Sequence, residues 1–246
     1  LNIKNFLMFK NLNIAMWSGP RNVSTALMRS FANRNDITSV LDEPFYASYL
    51  ISSNKDHPLK DEVIASQLND AEQVKVLCQK SNNGITYQKH MTQHILDNNY
   101  KWIDSLCNCF LIRNPESVIK SFMKSWNKGE FIDIGFKQQY DIFEYVCKNI
   151  NDHPPVIDAD LLRQNPEKVL KSFCEVVNIP WDTKMLEWEP GLKDYDGVWA
   201  KHWYSSVMHS SSFKPIDKKE INLNKTERRI ADKAMPIYQE LYKYVV

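Results

Sequence analysis

The chain has 246 residues, 43% of them hydrophobic and 25% charged, with a net charge of +1, enough length for one large core or two small ones. A balance so near neutral excludes a global field that would draw nucleic acid or an acidic membrane, so any anion site must be local. Five scattered cysteines, Cys78, Cys107, Cys109, Cys147 and Cys174, include no C-x-x-C pair, which speaks against a disulfide framework or a zinc site and suits a reducing compartment, the cytoplasm.

Residues 1–12, LNIKNFLMFKNL, are mildly apolar but broken by Lys4, Asn5, Lys10 and Asn11, and are expected to form a leader or boundary segment without a signal-peptide core. Nowhere does the sequence approach the ~20 apolar residues of a membrane span. One domain covering 1–246 is expected. The run Ile14, Ala15, Met16, Trp17 reads as a strand, Ser18-Gly19-Pro20 as a turn, and Ser24-Thr25 as the start of a helix carrying Ala26, Leu27, Ser30 and Phe31. Loop N–H groups and the positive end of that helix predict an anion site at Gly19, Pro20, Arg21, Asn22, Val23, Ser24 and Thr25. A Walker A loop needs a second glycine and a lysine where Ser24 and Thr25 stand, so a standard ATPase or GTPase is disfavoured.

Ile37 to Leu41 reads as a second strand ending on Asp42-Glu43-Pro44. A carboxylate there faces the crevice where α/β sheets bind ligands, so Glu43 is a candidate general base. The alternative is that Asp42 and Glu43 only complement the dipole of a helix after Pro44, the reading preferred for Asp42. Phe45 to Lys80 is helical in character and is expected to cover the sheet and shape an acceptor pocket. Ile85 to Gln88 gives a third strand running out at Lys89-His90. His90 is the second candidate base, with Lys89 beside it to neutralise a departing anion. His94 would share a helical face with His90 if a helix began at Met91 or Thr92, but no third ligand accompanies them, and no metal is expected.

Cys109 to Ile112 forms a buried strand with Arg113 at its end, and Pro115 starts a helix carrying Ser121. A guanidinium and a hydroxyl thus converge as phosphate ligands. After a helical region from Phe122 to Asn151, Pro154 to Asp158 supplies a short strand. Asn165, Pro166 and Glu167 then open a helix with Val169, Leu170, Phe173, Cys174 and Val177 as its buried stripe. Beyond Trp181 the sequence is loop-like and aromatic, and a last packing helix lies within 224–246, with Pro236 bending it. The expected fold is α/β: one domain, a parallel sheet of about five strands flanked by helices, and a P-loop-like phosphate loop after the first strand.

Pro20-Arg21-Asn22-Val23-Ser24-Thr25 resembles the 5′-phosphosulfate loop of the PAPS-dependent sulfotransferases, with Asn22-Val23 where many members carry Ser-Gly. Arg113-x-Pro115 followed by Ser121 resembles the same family's 3′-phosphate pattern. Lys89-His90 is similar to its Lys-Thr-His strand end, one residue short, and Asp160 to Glu167 to its E-D-L-x-x-N-P region. The resemblance runs from Ile14 to Asn178. It implies transfer of a sulfuryl group from PAPS to a hydroxyl or amine of a small acceptor, without a metal. It further implies that Ser24 and Thr25 hold the 5′-phosphate, that Arg21 stabilises the bridging oxygen, and that Arg113 and Ser121 select the 3′-phosphate. Lys201, in the late segment Gly197 to Ser206, stands where many members send a basic loop over the nucleotide. Two alternatives stay open: a phosphotransferase or nucleotide kinase on the same frame, and a non-catalytic nucleotide-binding member.

Overall fold

In the computed structural model, residues 11–80, 82–126, 129–216 and 221–246 are described. Five strands, β1 (Leu12–Ser18), β2 (Ile37–Asp42), β3 (Ile85–Met91), β4 (Cys107–Ile112) and β5 (Val156–Asp158), form one sheet in the order β2-β3-β1-β4-β5. Every neighbouring pair is parallel. The helices, in chain order, are α1 (Ser24–Ala32), α2 (Tyr46–Ser53), α3 (Lys60–Ser66), α4 (Ala71–Gln79), α5 (Pro115–Trp126) and α6 (Phe136–Asn149). They continue as α7 (Ala159–Gln164), α8 (Pro166–Val176), α9 (Ala200–Trp203), α10 (Ser205–Met208) and α11 (Lys225–Tyr242).

Parallel strands need crossovers, and those crossovers cover both faces of the sheet, so β3 is buried along its whole length. Side chains alternate across the pleat. Ile14, Met16, Tyr87, Cys109 and Leu111 pack on one face with Leu27, Met28 and Phe31 of α1 and Leu170 and Phe173 of α8. Ala15, Trp17, Phe110 and Ile112 pack on the other with Val74 of α4, Ile142 and Val146 of α6 and Leu241 of α11. After β3 the chain crosses to the far side of β1 to lay down β4. Reversal of strand order leaves a crevice at the strands' C-terminal ends, where the β1–α1 loop, Glu43, Lys89 and Arg113 meet.

Several expectations are corrected in detail. The region Phe45 to Lys80 is three helices, broken first between Asn54 and Leu59, which take left-handed backbone, and again between the extended Gln67 and the N-cap Asp70. Leu12 belongs to β1 and not to a leader, while residues 1–10 lie outside the described residues. β3 continues through Met91, and Thr92–His94 is a single 3-10 turn, so His90 and His94 share no helical face. The helix at Asn165 forms as expected, its side chain accepting the Lys168 N–H at 3.2 Å. Pro236 falls inside α11, which Asn224 and Glu227 start with a capping box. Among the described residues no helix is long and apolar enough to cross a membrane.

Candidate active site

The loop between β1 and α1 is pressed against a neighbouring turn. A Cβ on Gly19 would lie 2.5 Å from the carbonyl oxygen of Ile134, so glycine is what lets the loop pass beneath the turn Phe131–Ile134. Arg21 and Val23 both hold positive φ, 65° and 66°. For a β-branched residue that conformation is strained, and α1 begins at the very next residue without a side-chain cap. The first N–H groups of α1 therefore have no side-chain acceptor from Val23.

A cavity of about 340 Å³ opens beside this loop, lined by Pro20, Arg21, Val23, Ser24 and Thr25 and, across from them, by Arg113 and Ser121. The two segments meet directly. Arg21 Nε donates to Ser121 Oγ at 2.8 Å, and Arg113 Nη1 donates to the Arg21 carbonyl at 3.1 Å. Arg113 Nε is held by Asp160 Oδ1 at 3.1 Å, at the start of α7. Arg163 and Lys214 line the same cavity, joined by a bond from Arg163 Nε to the Lys214 carbonyl at 2.8 Å. Burial, with the Arg113 guanidinium beside it, pushes Arg21 below its ordinary pKa. Like charges in such proximity gain from an anion placed between them.

Deeper in the cavity the chemistry changes. Lys89 extends from β3 and is only 1% exposed, its Nζ within 2.9 Å of Asp42 Oδ1, 2.8 Å of the Tyr204 hydroxyl, and in contact with Glu43. Asp42 is its register partner on β2. Glu43 follows with a φ of 46°, an unusual backbone for glutamate that sends its carboxylate toward Lys89 and the cavity. Burial raises the Glu43 pKa, against the opposing pull of Lys89, and Asp42 adds to the rise. For Lys89 burial works downward, yet the Asp42 and Glu43 carboxylates outweigh it and hold the ammonium above its ordinary value.

A run of rings closes the remaining wall. Tyr46 stacks on His94 with centroids 4.7 Å apart and bonds His57 Nδ1 at 2.9 Å; His57 lies against Trp126, which stacks on Trp203 at 4.9 Å. Burial, with help from Lys55, pushes His57 down to about 4, so this wall is neutral at pH 7.

Not every expected residue arrives here. His90 points to the opposite face of the sheet, stacked on Trp17 at 4.3 Å and bonded through Nε2 to Gln88 Oε1 at 3.0 Å. Burial pushes it down to about 3, and it does not line the cavity, so it is withdrawn as a base. The reason is alternation: on a strand that includes both, Lys89 and His90 must face opposite ways. Lys201 is exposed on α9 and does not line the cavity; Arg163 and Lys214 supply the late cations instead. Asn22 is buried behind the loop, and neither it nor Gly19 lines the cavity. Asp42 caps nothing: α2 follows Phe45 without a side-chain cap, and Asp42 binds Lys89 and Tyr204. Among the described residues no cluster of His, Cys, Asp or Glu could hold a metal ion.

A parallel α/β sheet with a polycationic pocket at its switch point, and a buried carboxylate at the pocket's inner end, defines a class of domains that handle polyanionic ligands. The family model described as "Sulfotransferase domain" matches residues 12–244, and the chain belongs to that family. Branched-chain-amino-acid aminotransferase-like protein 1 of Arabidopsis thaliana is 35% identical over 94% of the chain, and protein 2 of the same plant is 34% identical over 93%. The chain spans 42% and 41% of the lengths of those two relatives. Among solved structures, the sulfotransferase domain from the curacin biosynthetic pathway superposes with a TM-score of 0.55 at 16% identity, covering 92% of this chain and 98% of that one. A sulfotransferase from Alicyclobacillus acidocaldarius gives 0.55 at 10% identity over 94% and 95%. Mouse sulfotransferase SULT7A1 complexed with PAP gives 0.50 at 12% identity over 95% and 89%. At those identities the likeness establishes the fold.

Proposed function

We propose that this domain transfers a sulfuryl group from PAPS to a hydroxyl or amine of a small acceptor and releases adenosine 3′,5′-bisphosphate. One observation carries the reading: two phosphate-type motifs far apart in sequence are brought into contact, Arg21 on Ser121 and Arg113 on Arg21, around one cavity. The family match supports it, and so does the PAP held by the mouse relative. The donor set fits a bisphosphate in its chemistry: three guanidiniums, a lysine and three hydroxyls, with the Arg21 guanidinium lowered by burial and by Arg113 beside it. Location in the cytoplasm belongs to the same proposal and rests on the scattered thiols.

In this mechanism the acceptor oxygen bonds to sulfur and gives its proton to a Glu43 carboxylate oxygen. The S–O bond to the 5′-phosphate breaks, and its electron pair stays on the phosphate. Charge spreads over the equatorial oxygens of the group in flight, so positioned cations contribute most. Arg21 lies at the loop where that charge develops, Ser24 and Thr25 hold the 5′-phosphate, and Arg113, Ser121, Arg163 and Lys214 take the 3′-phosphate. Glu43 lines the cavity with its proton affinity raised by burial, as a general base requires.

The test is calorimetric titration with adenosine 3′,5′-bisphosphate, AMP and ADP. The bisphosphate is expected to bind at least tenfold more tightly than either, and Arg113→Ala to lose roughly 1.5–3 kcal/mol, the worth of a hydrogen bond to a charged group. Equal affinity for AMP, or a preference for ADP with magnesium, overturns the reading.

A further inference from the structure

Two carboxylates share one ammonium at the inner end of the cavity, and all three are buried: the side chains of Asp42, Lys89 and Glu43 are 1%, 1% and 11% exposed. One negative charge is left over. Which carboxylate carries it follows from the donors each receives. Asp42 accepts from Lys89 at 2.9 Å, from the Tyr204 hydroxyl at 2.8 Å to both oxygens, and from the Gly197 N–H at 3.3 Å. Trp199 Nε1 donates to the same Tyr204 oxygen at 3.0 Å, which leaves the hydroxyl proton aimed at Asp42. The charge on Asp42 is thus solvated by the protein from three sides. Glu43 shares Lys89 and the edge of Tyr204 at 3.4 Å, and is the carboxylate that lines the cavity.

We infer that Asp42, which does not line the cavity, is a positioning residue that sets the strength of Glu43 as a base by engaging the Lys89 ammonium from behind. The inference rests on the sulfuryl-transfer reading for the role of Glu43. With Asp42 in place, the Lys89 charge is divided between two carboxylates and Glu43 is only partly compensated, ready to take a proton. Without it, Lys89 and Glu43 close into a neutral pair and the base is quenched. The other titratable groups toward Glu43 are Tyr46 on α2, His94 in the turn after β3, and Tyr204; His57, Arg21, Arg113, Arg163 and Lys214 line the same cavity. In an Asp42 variant Tyr204 loses its Asp42 acceptor and the direct Asp42–Glu43 repulsion also goes, so the part of the shift that runs through Lys89 is the part abolished in a Lys89→Met background.

The test is a carbon-13 NMR titration of carboxyl-labelled protein, with the Glu43 signal assigned by Glu43→Gln; it needs no acceptor. In the wild type Glu43 titrates above the ordinary carboxylate range. In Asp42→Asn its midpoint is expected to fall by about one pH unit, in Lys89→Met to rise, and in Asp42→Glu to return toward wild type. Asp42→Ser serves in place of Asp42→Asn if that variant does not fold, and bisphosphate binding reports that each variant is intact. With PAPS and a simple aliphatic alcohol as probe acceptor, whose hydroxyl keeps its proton across the range, the acid limb of the pH–rate profile moves the same way and the neutral rate falls roughly three- to tenfold in Asp42→Asn. An unmoved Glu43 midpoint in a folded, neutral Asp42 variant overturns the inference. Failure of the reading beneath it shows separately, as a wild type that does not prefer the bisphosphate.

Discussion

His90 is a buried imidazole that the proposed chemistry does not use, and its environment has a consequence for the protein in acid. Burial, with Lys89 nearby, holds it at about 3 in the folded protein, whereas an exposed imidazole titrates near ~6.5. Between those values the unfolded chain takes up a proton that the folded chain refuses. Stability is therefore fully present above about pH 6.5 and declines as pH falls toward about 3, by up to roughly 5 kcal/mol for this one residue. His57, at about 4, and His94, also pushed down by burial, act in the same direction. His90→Phe keeps a ring on Trp17 and removes the proton. Urea unfolding between pH 7 and 4 is expected to show a decline shallower by about one proton in the variant; an equal slope would mean that His90 does not titrate as its surroundings dictate.

At the scale of the element, the loop between β1 and α1 is where backbone and sequence disagree. Val23 holds a φ of 66°, a conformation suited to glycine, and glycine is what many sulfotransferases place there. Strain of this kind costs roughly 1–3 kcal/mol. Val23→Gly releases it but gives up partial packing on the core and adds unfolded-state freedom worth about 1 kcal/mol. The net change in unfolding free energy is expected within about 1 kcal/mol of zero, and a loss of 3 kcal/mol or more would show that the loop is unstrained. The elements themselves were largely legible: five apolar runs bounded by turn residues became the five strands, and Arg21, Arg113 and Ser121 were placed by motif and spacing. What sequence could not supply was the far end of each contact. Tyr204, Arg163, Lys214 and His57 reach the cavity from segments with no periodic signal, and only tertiary packing brings them in. The choice between Lys89 and His90 was readable in principle, since extending the alternation of Ile85 and Tyr87 puts Lys89 on their face. Reading β3 as ended at Gln88 hid it. Asp42 was assigned to a helix dipole because its true partners lie on β3 and beyond α9.

Across the whole molecule, the site is assembled from the loop at 19–25, the ends of β2, β3 and β4, α5, and the late segment up to Lys214. A ligand in the cavity therefore ties together elements from both halves of the chain. At 100 times its dissociation constant, a ligand that binds only the folded state adds about 2.7 kcal/mol, which for a domain of this size raises the melting temperature by about 5–10 °C. Scanning fluorimetry with adenosine 3′,5′-bisphosphate is expected to show that rise in the wild type and to lose most of it in Arg113→Ala. An equal rise in both would place the bound anion elsewhere. The late segment also has a bearing on how the protein is made. A nascent chain that has emerged only as far as β5 already contains all five strands of the sheet with Arg21, Arg113 and Ser121, but lacks Asp196, which pairs with the buried Arg29 at 2.6 Å, and Tyr204, which completes the shell around Asp42 and Lys89. Its interior cations have no finished cover until Asp196 and Tyr204 have followed. Sheet and shell are thus laid down in order, with the cover of the buried cations arriving after the strands that carry them.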